Sequence, residues 1–309
     1  MKIFRDLEEI DDIDSTVVAL GNFDGIHLGH RSLIDEAVKI AAEKGLKSAI
    51  FTFSNHPRNV LAGENIVKNI MYEDEKITLL EILGIDYMFS LDFDDAMMRI
   101  SPENFAKNIL SERFKADTAI CGFNFSYGYK AAGNAENLAK FGQKFGFETV
   151  VKEPVKVNGE IVSSTLIRKK ITSGDMESAA IFLGRNYSIR GEVIYGNRIG
   201  RTIGFPTCNI TVDDAMVSPA NGVYVTYCHV NGRRHNSITN VGHKPTIGNY
   251  AKNIETNILD FNEDIYGSKV KVEFLKMTRA EQKFSGLKEL QEQLITDIKF
   301  ARSFHCLPL

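Results

Sequence analysis

Two histidines in a glycine-containing segment are the residues of this chain best suited to chemistry on phosphate groups. His27 and His30 lie in GNFDGIHLGH, residues 21–30, which directly follows the apolar run Thr16–Leu20. Glycines let a backbone pass close to a ligand, and a helix start presents N–H groups and a positive dipole end. Two imidazoles three residues apart at a helix start point the same way and can donate hydrogen bonds to phosphate oxygens. The segment therefore predicts a site of phosphoryl or nucleotidyl transfer.

Other interpretations of this loop are less specific. It contains neither the GK[ST] of a Walker A loop nor the GxGxxG of a dinucleotide-binding loop. The two histidines could form half of a zinc site, but the neighbouring sequence offers no obvious third ligand. A lone surface histidine usually carries no function. The combination of strand, glycines and helix favours a nucleotide.

A second phosphate-binding pattern lies at SSTLIR, residues 163–168. The hydroxyls of Ser163, Ser164 and Thr165 stand at an expected helix start, and Arg168 follows one turn later. Such a group can hold the β- and γ-phosphates of ATP. An ordinary N-cap is the alternative explanation. The presence of the histidine loop in the same half favours the ATP interpretation.

The segment GNRIGRTIGFPTCN, residues 196–209, is the most informative part of the second half. Its glycines recur every four residues, so the loop can lie flat against a phosphate chain. Thr207 and Asn209 offer neutral oxygens of the kind that suit Mg²⁺ bridging nucleotide phosphates. Taken alone, however, the segment is better explained as a β-barrel turn that requires glycine.

The elements around these segments change in kind along the chain. In the first half, strands at 16–20, 46–53, 87–93 and 118–121 alternate with helical periodicity, including a helix from Pro102 with Ser101 as its N-cap, which predicts a doubly wound α/β domain. After residue 184, short strands at 189–195, 223–230, 254–261 and 270–274 predict a small antiparallel barrel. A C-terminal helix capped by Ser285 follows. We therefore expect domains at 1–184 and 185–309.

Composition limits the class of protein. The 309 residues, 43% hydrophobic and 25% charged, are those of a folded two-domain protein. A net charge of −3 provides no basic field for a nucleic acid, and no apolar segment is long enough for a signal peptide or a membrane span. The four cysteines are scattered without a CxxC pair. These features predict a cytoplasmic protein with reduced thiols and no nucleic-acid or membrane partner; an oligomer is possible but not indicated.

Taken together, the segments identify a family. The HxGH signature resembles the nucleotidyltransferase superfamily, and GNFDGIHLGH more specifically resembles the bacterial bifunctional riboflavin kinase/FMN adenylyltransferases. Further segments carry the same family resemblance: TFSNHP (52–57), GFNFSYG (122–128), SSTLIR (163–168), GRTIGFPTCN (200–209), NVGHKPT (240–246), ETNILDF (255–261) and RAEQKF (279–284). The sequence departs from the family pattern at Asn55, Asn124, Ala131, Cys208 and Lys244.

The resemblance implies a nucleotidyltransferase domain followed by a six-stranded riboflavin-kinase barrel. It implies that ATP and Mg²⁺ serve both phosphorylation of riboflavin to FMN and adenylylation of FMN to FAD, with Glu255 as the kinase base beside the phosphate-transfer residues His27 and His30. The other implied contacts are Gly21, Asn22, Phe23, Asp24, Ser163, Ser164, Thr165 and Arg168 for ATP in the first domain, Asn55, His56 and Asn124 for flavin there, Gly200, Arg201, Gly204, Thr207 and Asn209 for ATP in the barrel, Thr207 and Asn209 for the metal, and Arg279 for flavin.

Two alternatives remain open from the sequence. The departures Asn55, Asn124 and Ala131 all lie in the first half, so the chain could be a riboflavin kinase whose adenylyltransferase half has decayed. It could also be a flavin sensor that binds without turnover. The retained Glu255 and both histidines argue against a sensor, which would not need them.

Overall fold

The computed structural model describes residues 1–195, 204–243 and 252–306, and its contacts divide the chain into two compact units, Met1–Ser164 and Thr165–Leu309. The sequence instead predicts a boundary after residue 184. The helices Ser164–Ser173 and Met176–Leu183 lie between the two positions, and the contacts place them with the second unit.

The first unit is built on a parallel sheet of six strands. In sheet order these are β1 (Lys2–Phe4), β4 (Tyr87–Leu91), β3 (Lys47–Phe53), β2 (Thr16–Leu20), β5 (Ala116–Gly122) and β8 (Glu148–Lys152). All five residues of β2 are buried, with Val17 and Ala19 in the core on one face of the sheet and Val18 and Leu20 in the core on the other. Both faces are therefore covered, which explains why β2 has a continuous apolar run.

Helices cover both faces of this sheet. They are α1 (Leu28–Lys44), α2 (Pro57–Ala62), α3 (Glu73–Ile82), α4 (Asp95–Arg99), α5 (Pro102–Asn104), which continues as the π-helical segment Phe105–Arg113, and α6 (Ala135–Phe145), with 3₁₀ turns at Leu7–Glu9 and Tyr129–Ala131. Two small antiparallel pairs lie outside the main sheet: β6 (Ser126–Tyr127) with β7 (Gly133–Asn134), and β9 (Lys156–Val157) with β10 (Glu160–Ile161).

The predicted α/β architecture is confirmed. The Ser101 side chain accepts a hydrogen bond from the Asn104 N–H and so caps the helix as expected. The outer strands β1 and β8 were not predicted, because short or half-exposed strands lack the continuous apolar run that marks β2.

The second unit is a closed antiparallel barrel with helices. It contains α7 (Ser164–Ser173), α8 (Met176–Leu183), the C-terminal α9 (Leu287–His305), and six strands that in barrel order are β11 (Tyr187–Ile194), β12 (Cys208–Ile210), β15 (Lys252–Ile258), β14 (Arg233–His243), β13 (Gly222–Val230) and β16 (Lys269–Ala280). The predicted six-stranded barrel and C-terminal helix are confirmed. The predicted Ser285 cap is wrong: Gly286 is the N-cap residue, and the Ser285 hydroxyl donates to Glu289 instead.

The barrel core contains hydroxyl groups that satisfy one another. Thr239 Oγ1 lies 2.8 Å from Thr226 Oγ1 and 2.9 Å from Thr256 Oγ1, and Thr226 Oγ1 lies 2.8 Å from Ser237 Oγ. All four residues are fully buried. Because each hydroxyl has a partner, the barrel carries these polar groups without the cost of an unsatisfied one.

Candidate active sites

The first candidate site lies where the order of the parallel strands reverses. The chain passes from β2 to β3 on one side and returns to place β5 on the other side of β2. In an open α/β sheet, ligands bind at the carboxyl ends of the strands beside such a reversal. Residues 21–24 follow β2 at this point, and residues 123–124 follow β5.

The loop after β2 has a constrained backbone. Phe23, Gly25 and Ile26 have φ values of 46°, 84° and 35°, in the left-handed region that residues other than glycine rarely adopt. The Phe23 ring is fully buried, and the Asp24 carboxylate accepts hydrogen bonds of 2.9 and 3.1 Å from the Ile70 N–H. Packing and hydrogen bonds thus hold two non-glycine residues in a strained conformation, a feature that concentrates at functional sites.

The two histidines lie together at the start of α1. His27 is the N-cap residue, and its Nδ1 accepts a 3.1 Å hydrogen bond from the His30 N–H. A neutral imidazole that accepts at Nδ1 carries its proton on Nε2, so Nε2–H is the donor that His27 offers. The His30 ring stacks on that of His27 with centroids 3.7 Å apart. The helix start is expected to present its N–H groups to a ligand, and one of them, the His30 N–H, is already bonded in this cap.

Gly29 allows this arrangement of the two rings. A Cβ at residue 29 would lie 3.1 Å from Cε1 and 3.2 Å from Nδ1 of His27, and 3.5 Å from the Val162 carbonyl oxygen. A side chain here would press on the capping imidazole. The glycine of the HxGH segment is therefore explained by the close approach of His27 to the helix backbone.

The serine segment begins beside the same loop. The α7 helix starts at Ser164, as expected, and the Ser164 hydroxyl donates a 3.1 Å hydrogen bond to the Asp24 carbonyl oxygen. Ser163 and Ser164 are half-buried, whereas Thr165 is exposed and Arg168 follows one turn into the helix. This hydrogen bond brings the Ser163–Ser164 segment to the loop that carries His27.

The segment after β3 is anchored by the residues that the sequence marks as flavin contacts. The Asn55 Oδ1 accepts a 2.8 Å hydrogen bond from the Phe93 N–H, which ties the end of β3 to the chain leaving β4. His56 caps α2 by accepting from the Arg58 N–H at 3.2 Å. Asn124 is exposed beyond β5. The departure at Asn55 thus has a structural reason, since proline has no side-chain oxygen to bind Phe93.

A small pocket is lined both by the loop after β2 and by the segment after β3. It has a volume of about 60 Å³, and its lining includes Asn22 and Asp24 from the loop after β2, Asn55 and His56 after β3, and Lys76 from α3. Lys76 was missed by the sequence analysis because it belongs to no motif, and a lysine in the first turns of a helix looks like an ordinary surface residue. Burial lowers the pKa of Lys76, and the charges of Asp24 and Glu73 partly oppose that effect.

The second candidate site lies on neighbouring strands of the barrel. Asn209 on β12 is directly opposite Glu255 on β15, and Glu255 is in turn opposite Asn240 on β14. Side chains so paired have Cβ atoms about 4.5–5.5 Å apart. Glu255 is half-buried, and its Oε1 accepts a 2.6 Å hydrogen bond from Asn253 Nδ2. A carboxylate is therefore held between two amides in a fixed row.

Asn209 carries a buried oxygen that the described residues do not satisfy. The residue is 4% exposed, and its Oδ1 has no hydrogen-bond partner among the described residues. A buried amide oxygen of this kind normally has a donor, a water or an ion. Two residues earlier, Thr207 lines a cavity of about 310 Å³ together with Pro206, Cys208 and Thr256. Glu255 is not among the residues that line this cavity.

Two cysteines of the barrel strands, Cys208 and Cys228, are buried. A hydrogen bond with Cys208 and burial raise the pKa of the Cys228 thiol, whereas the same hydrogen bond lowers the pKa of the Cys208 thiol.

The predicted flavin contact Arg279 is bonded within the protein. Its Nε and Nη2 donate to the Asp297 carboxylate on α9 at 3.1 and 2.8 Å, and Gln293 Nε2 donates to the same carboxylate at 2.8 Å. The guanidinium also lies 5.7 Å from the centre of the Phe284 ring. Gly204 is described and exposed, with a φ of 88°, but Gly200 and Arg201 lie outside the described residues.

Comparisons with known proteins agree with a nucleotidyltransferase-type sheet followed by a flavokinase-type barrel. The FAD synthetase family model matches residues 9–166, and the riboflavin kinase model matches residues 183–305. A bifunctional riboflavin kinase/FMN adenylyltransferase of Bacillus subtilis is 38% identical over 91% of this chain and 90% of its own length. One from Listeria monocytogenes is 38% identical over 93% of this chain and 92% of its own.

A solved structure has the same fold over almost the entire chain. A crystal structure described as a macrolide-efflux protein from Streptococcus pneumoniae has a TM-score of 0.89 and 32% identity, and covers 97% of this chain and 98% of that one. In the part of this chain that the structure describes, no helix has the length and apolar character to cross a membrane. The chain belongs to the family of bifunctional riboflavin kinase/FMN adenylyltransferases.

Proposed function

We propose that this chain converts riboflavin to FMN in its barrel and FMN to FAD in its N-terminal unit, using ATP in both reactions. The observation that carries this proposal is that each unit has its own set of reactive groups: the His27–His30 pair at the start of α1, and the Asn209–Glu255 pair across β12 and β15. Both family models match, and the relatives span the chain at 38% identity. A decayed half or a non-catalytic sensor is therefore not favoured.

In the adenylyltransferase reaction, a phosphate oxygen of FMN attacks the α-phosphorus of ATP, and the bond to the β-phosphate breaks to release pyrophosphate. The protein needs to position the reactants and stabilise charge rather than form a covalent bond. We assign this role to the Nε2–H of His27 and to His30, with Gly21–Asp24, Ser163, Ser164, Thr165 and Arg168 binding ATP. The support is the cap that fixes the His27 tautomer and the hydrogen bond from Ser164 to Asp24.

In the kinase reaction, the ribityl 5′-hydroxyl attacks the γ-phosphorus of ATP, and ADP leaves. We assign Glu255 as the base that accepts the hydroxyl proton, because the carboxylate is held by Asn253 and has an amide on each neighbouring strand. Gly200, Arg201 and Gly204 are proposed to bind ATP in the barrel.

The metal assignment rests on the chemistry of the donor set. Thr207 and Asn209 supply neutral oxygens of the type that Mg²⁺ accepts, and the buried Asn209 Oδ1 has no donor among the described residues. We therefore propose that these two residues hold Mg²⁺, which when bound neutralises charge on the ATP phosphates. Cysteine, histidine and carboxylate clusters that could hold a metal ion are absent from the described ranges.

The flavin contacts are proposed with different roles. Asn55 and His56 shape the segment after β3 through backbone hydrogen bonds, so their contact with flavin would come from groups not used in those bonds. Asn124 is exposed at the neighbouring strand end. In the barrel, Arg279 would contact flavin while Asp297 holds its guanidinium in place.

Separate assays test this proposal. Riboflavin with ATP and Mg²⁺ should yield FMN and then FAD, and FMN with ATP and Mg²⁺ should yield FAD and pyrophosphate. Formation of FMN from riboflavin, with no FAD formed from either substrate, would show a decayed N-terminal half. Flavin binding without consumption of ATP would show a sensor. The cytoplasmic location, the absence of membrane and nucleic-acid partners, and the domain boundary at 184 stay predictions, of which the location is testable by cell fractionation.

A further inference from the structure

Lys76 provides a half-buried positive charge in the pocket lined by both groups of N-terminal site residues, those assigned to ATP and those assigned to flavin. The pocket is lined by Asn22 and Asp24, assigned to ATP, and by Asn55 and His56, assigned to flavin. A group bound here would lie where the two substrates meet. In adenylylation, the part of FMN that meets ATP is its phosphate.

Among the described residues, the Lys76 ammonium has no partner that would compensate for its partial burial. Within the described ranges, it forms neither a hydrogen bond nor an ion pair, and Asp24 and Glu73 act on it only through longer-range charge effects. Both carboxylates are bonded elsewhere, Asp24 to the Ile70 N–H and Glu73 to Arg5 at 2.8 Å. Partial removal of an unpaired ammonium from water is costly, and such a cost persists at sites where a ligand supplies the missing charge.

The chemistry of the pocket selects an anion. Lys76 would repel a cation, and the amides of Asn22, Asn55 and Asn69 offer further donors around the same space. Two carboxylates also line the pocket. The Lys76 charge offsets that of Asp24, and Arg5 pairs with Glu73 at 2.8 Å, so neither carboxylate is left to repel a phosphate by itself. Riboflavin has no phosphate, so this contact would distinguish FMN from riboflavin.

We propose that Lys76 binds the phosphate of FMN and so makes the N-terminal site selective for FMN over riboflavin. This inference rests on the proposed adenylyltransferase function. The triphosphate of ATP is the other source of phosphate. Asn22 and Asp24, two of its proposed partners, line this pocket, but the histidine pair and the Ser163–Arg168 segment do not.

The test compares Lys76→Met with Lys76→Arg in the full-length enzyme. Rates of FAD formation are measured with FMN varied at saturating ATP, and then with ATP varied at saturating FMN. Loss of a charge-assisted hydrogen bond should raise the KM for FMN roughly 10–100-fold in Lys76→Met, with the KM for ATP within about threefold of wild type. Lys76→Arg, which keeps the charge, should retain most of the affinity.

Matched measurements separate the possible outcomes. Lys39→Met changes an exposed lysine on α1, 63% exposed, and should leave both KM values unchanged. Thermal unfolding shows whether Lys76→Met folds; if it does not, Lys76→Gln replaces it in the same assays. An unchanged KM for FMN, or a rise confined to ATP, would overturn the assignment of Lys76. Wild-type enzyme that makes no FAD from FMN would instead overturn the adenylyltransferase function.

Discussion

The imidazole rings of His27 and His30 stack with their planes 15° from parallel, while the backbone N–H of His30 donates to Nδ1 of His27. His30 thus stacks its ring on that of His27 and also donates the backbone N–H that the His27 side chain caps. Phe23 packs near the His30 ring with centroids 5.2 Å apart. The pair is a rigid unit fixed by the helix start, which is the condition for stabilising charge without reorganisation.

His30→Ala removes the ring but keeps the backbone N–H that caps α1 through His27. FMN adenylylation should fall roughly 10²–10³-fold, the scale for loss of one preorganised donor. Riboflavin phosphorylation should be nearly unchanged. The control is Arg31→Ala, the next residue of α1, which forms an exposed ion pair with Asp35. Equal losses in both activities would mean that His30 is structural.

Glu255→Gln keeps the shape of the side chain but cannot accept a proton at neutral pH. Riboflavin phosphorylation should fall about 10²–10⁴-fold, whereas FAD formation from supplied FMN should persist. Feeding one preparation riboflavin in one tube and FMN in another measures both. Glu192→Gln, an exposed glutamate on β11, is the matched control. Normal FMN production by Glu255→Gln would exclude Glu255 as the base.

Asn209→Leu separates function from stability. The Mg²⁺ concentration that half-saturates the kinase should rise roughly 10–100-fold, the scale for groups that support a metal site. The free energy of unfolding should stay equal or rise, because the buried Oδ1 has no partner among the described residues. Asn236→Ala, exposed on β14, is the control. A large loss of stability with normal Mg²⁺ dependence would contradict the metal assignment.

Fragments test the domain boundary. Residues 185–309 should fold and phosphorylate riboflavin, as the change of pattern near residue 184 predicts. Residues 165–309 should be more stable by roughly 2–4 kcal/mol, because they keep α8, where Phe182 and Leu183 are buried and Glu177 pairs with Lys276 of β16 at 2.7 Å. Thermal melts and kinase assays of both fragments decide this. A folded but inactive 185–309 fragment would show that the kinase needs the preceding residues.

Thiol labelling tests the burial of the cysteines. Cys306 is exposed, whereas Cys121, Cys208 and Cys228 are buried, and burial raises the pKa of Cys121 to about 11. An aromatic disulfide reagent should therefore label one thiol rapidly in the native enzyme and the other three only on unfolding. Cys306→Ser should abolish the rapid phase. Rapid labelling of Cys208 together with loss of kinase activity would show that the barrel opens readily.

The sequence by itself determined the fold class and the main strands, and it predicted most of the residues proposed for the two candidate sites. His27 and His30 lie within one helix start, and Ser101 caps its own helix, so neighbours in sequence were enough to predict the placement of the two histidines and this cap. Pairings between distant elements were decided only by the tertiary structure. Asn209 meets Glu255 because strand register aligns them, Arg279 is held by Asp297 because α9 packs on the barrel, and Lys76 reaches the pocket because α3 packs beside the loop after β2. Register and packing depend on the burial of apolar surface summed over entire elements, which no local spacing of residues records.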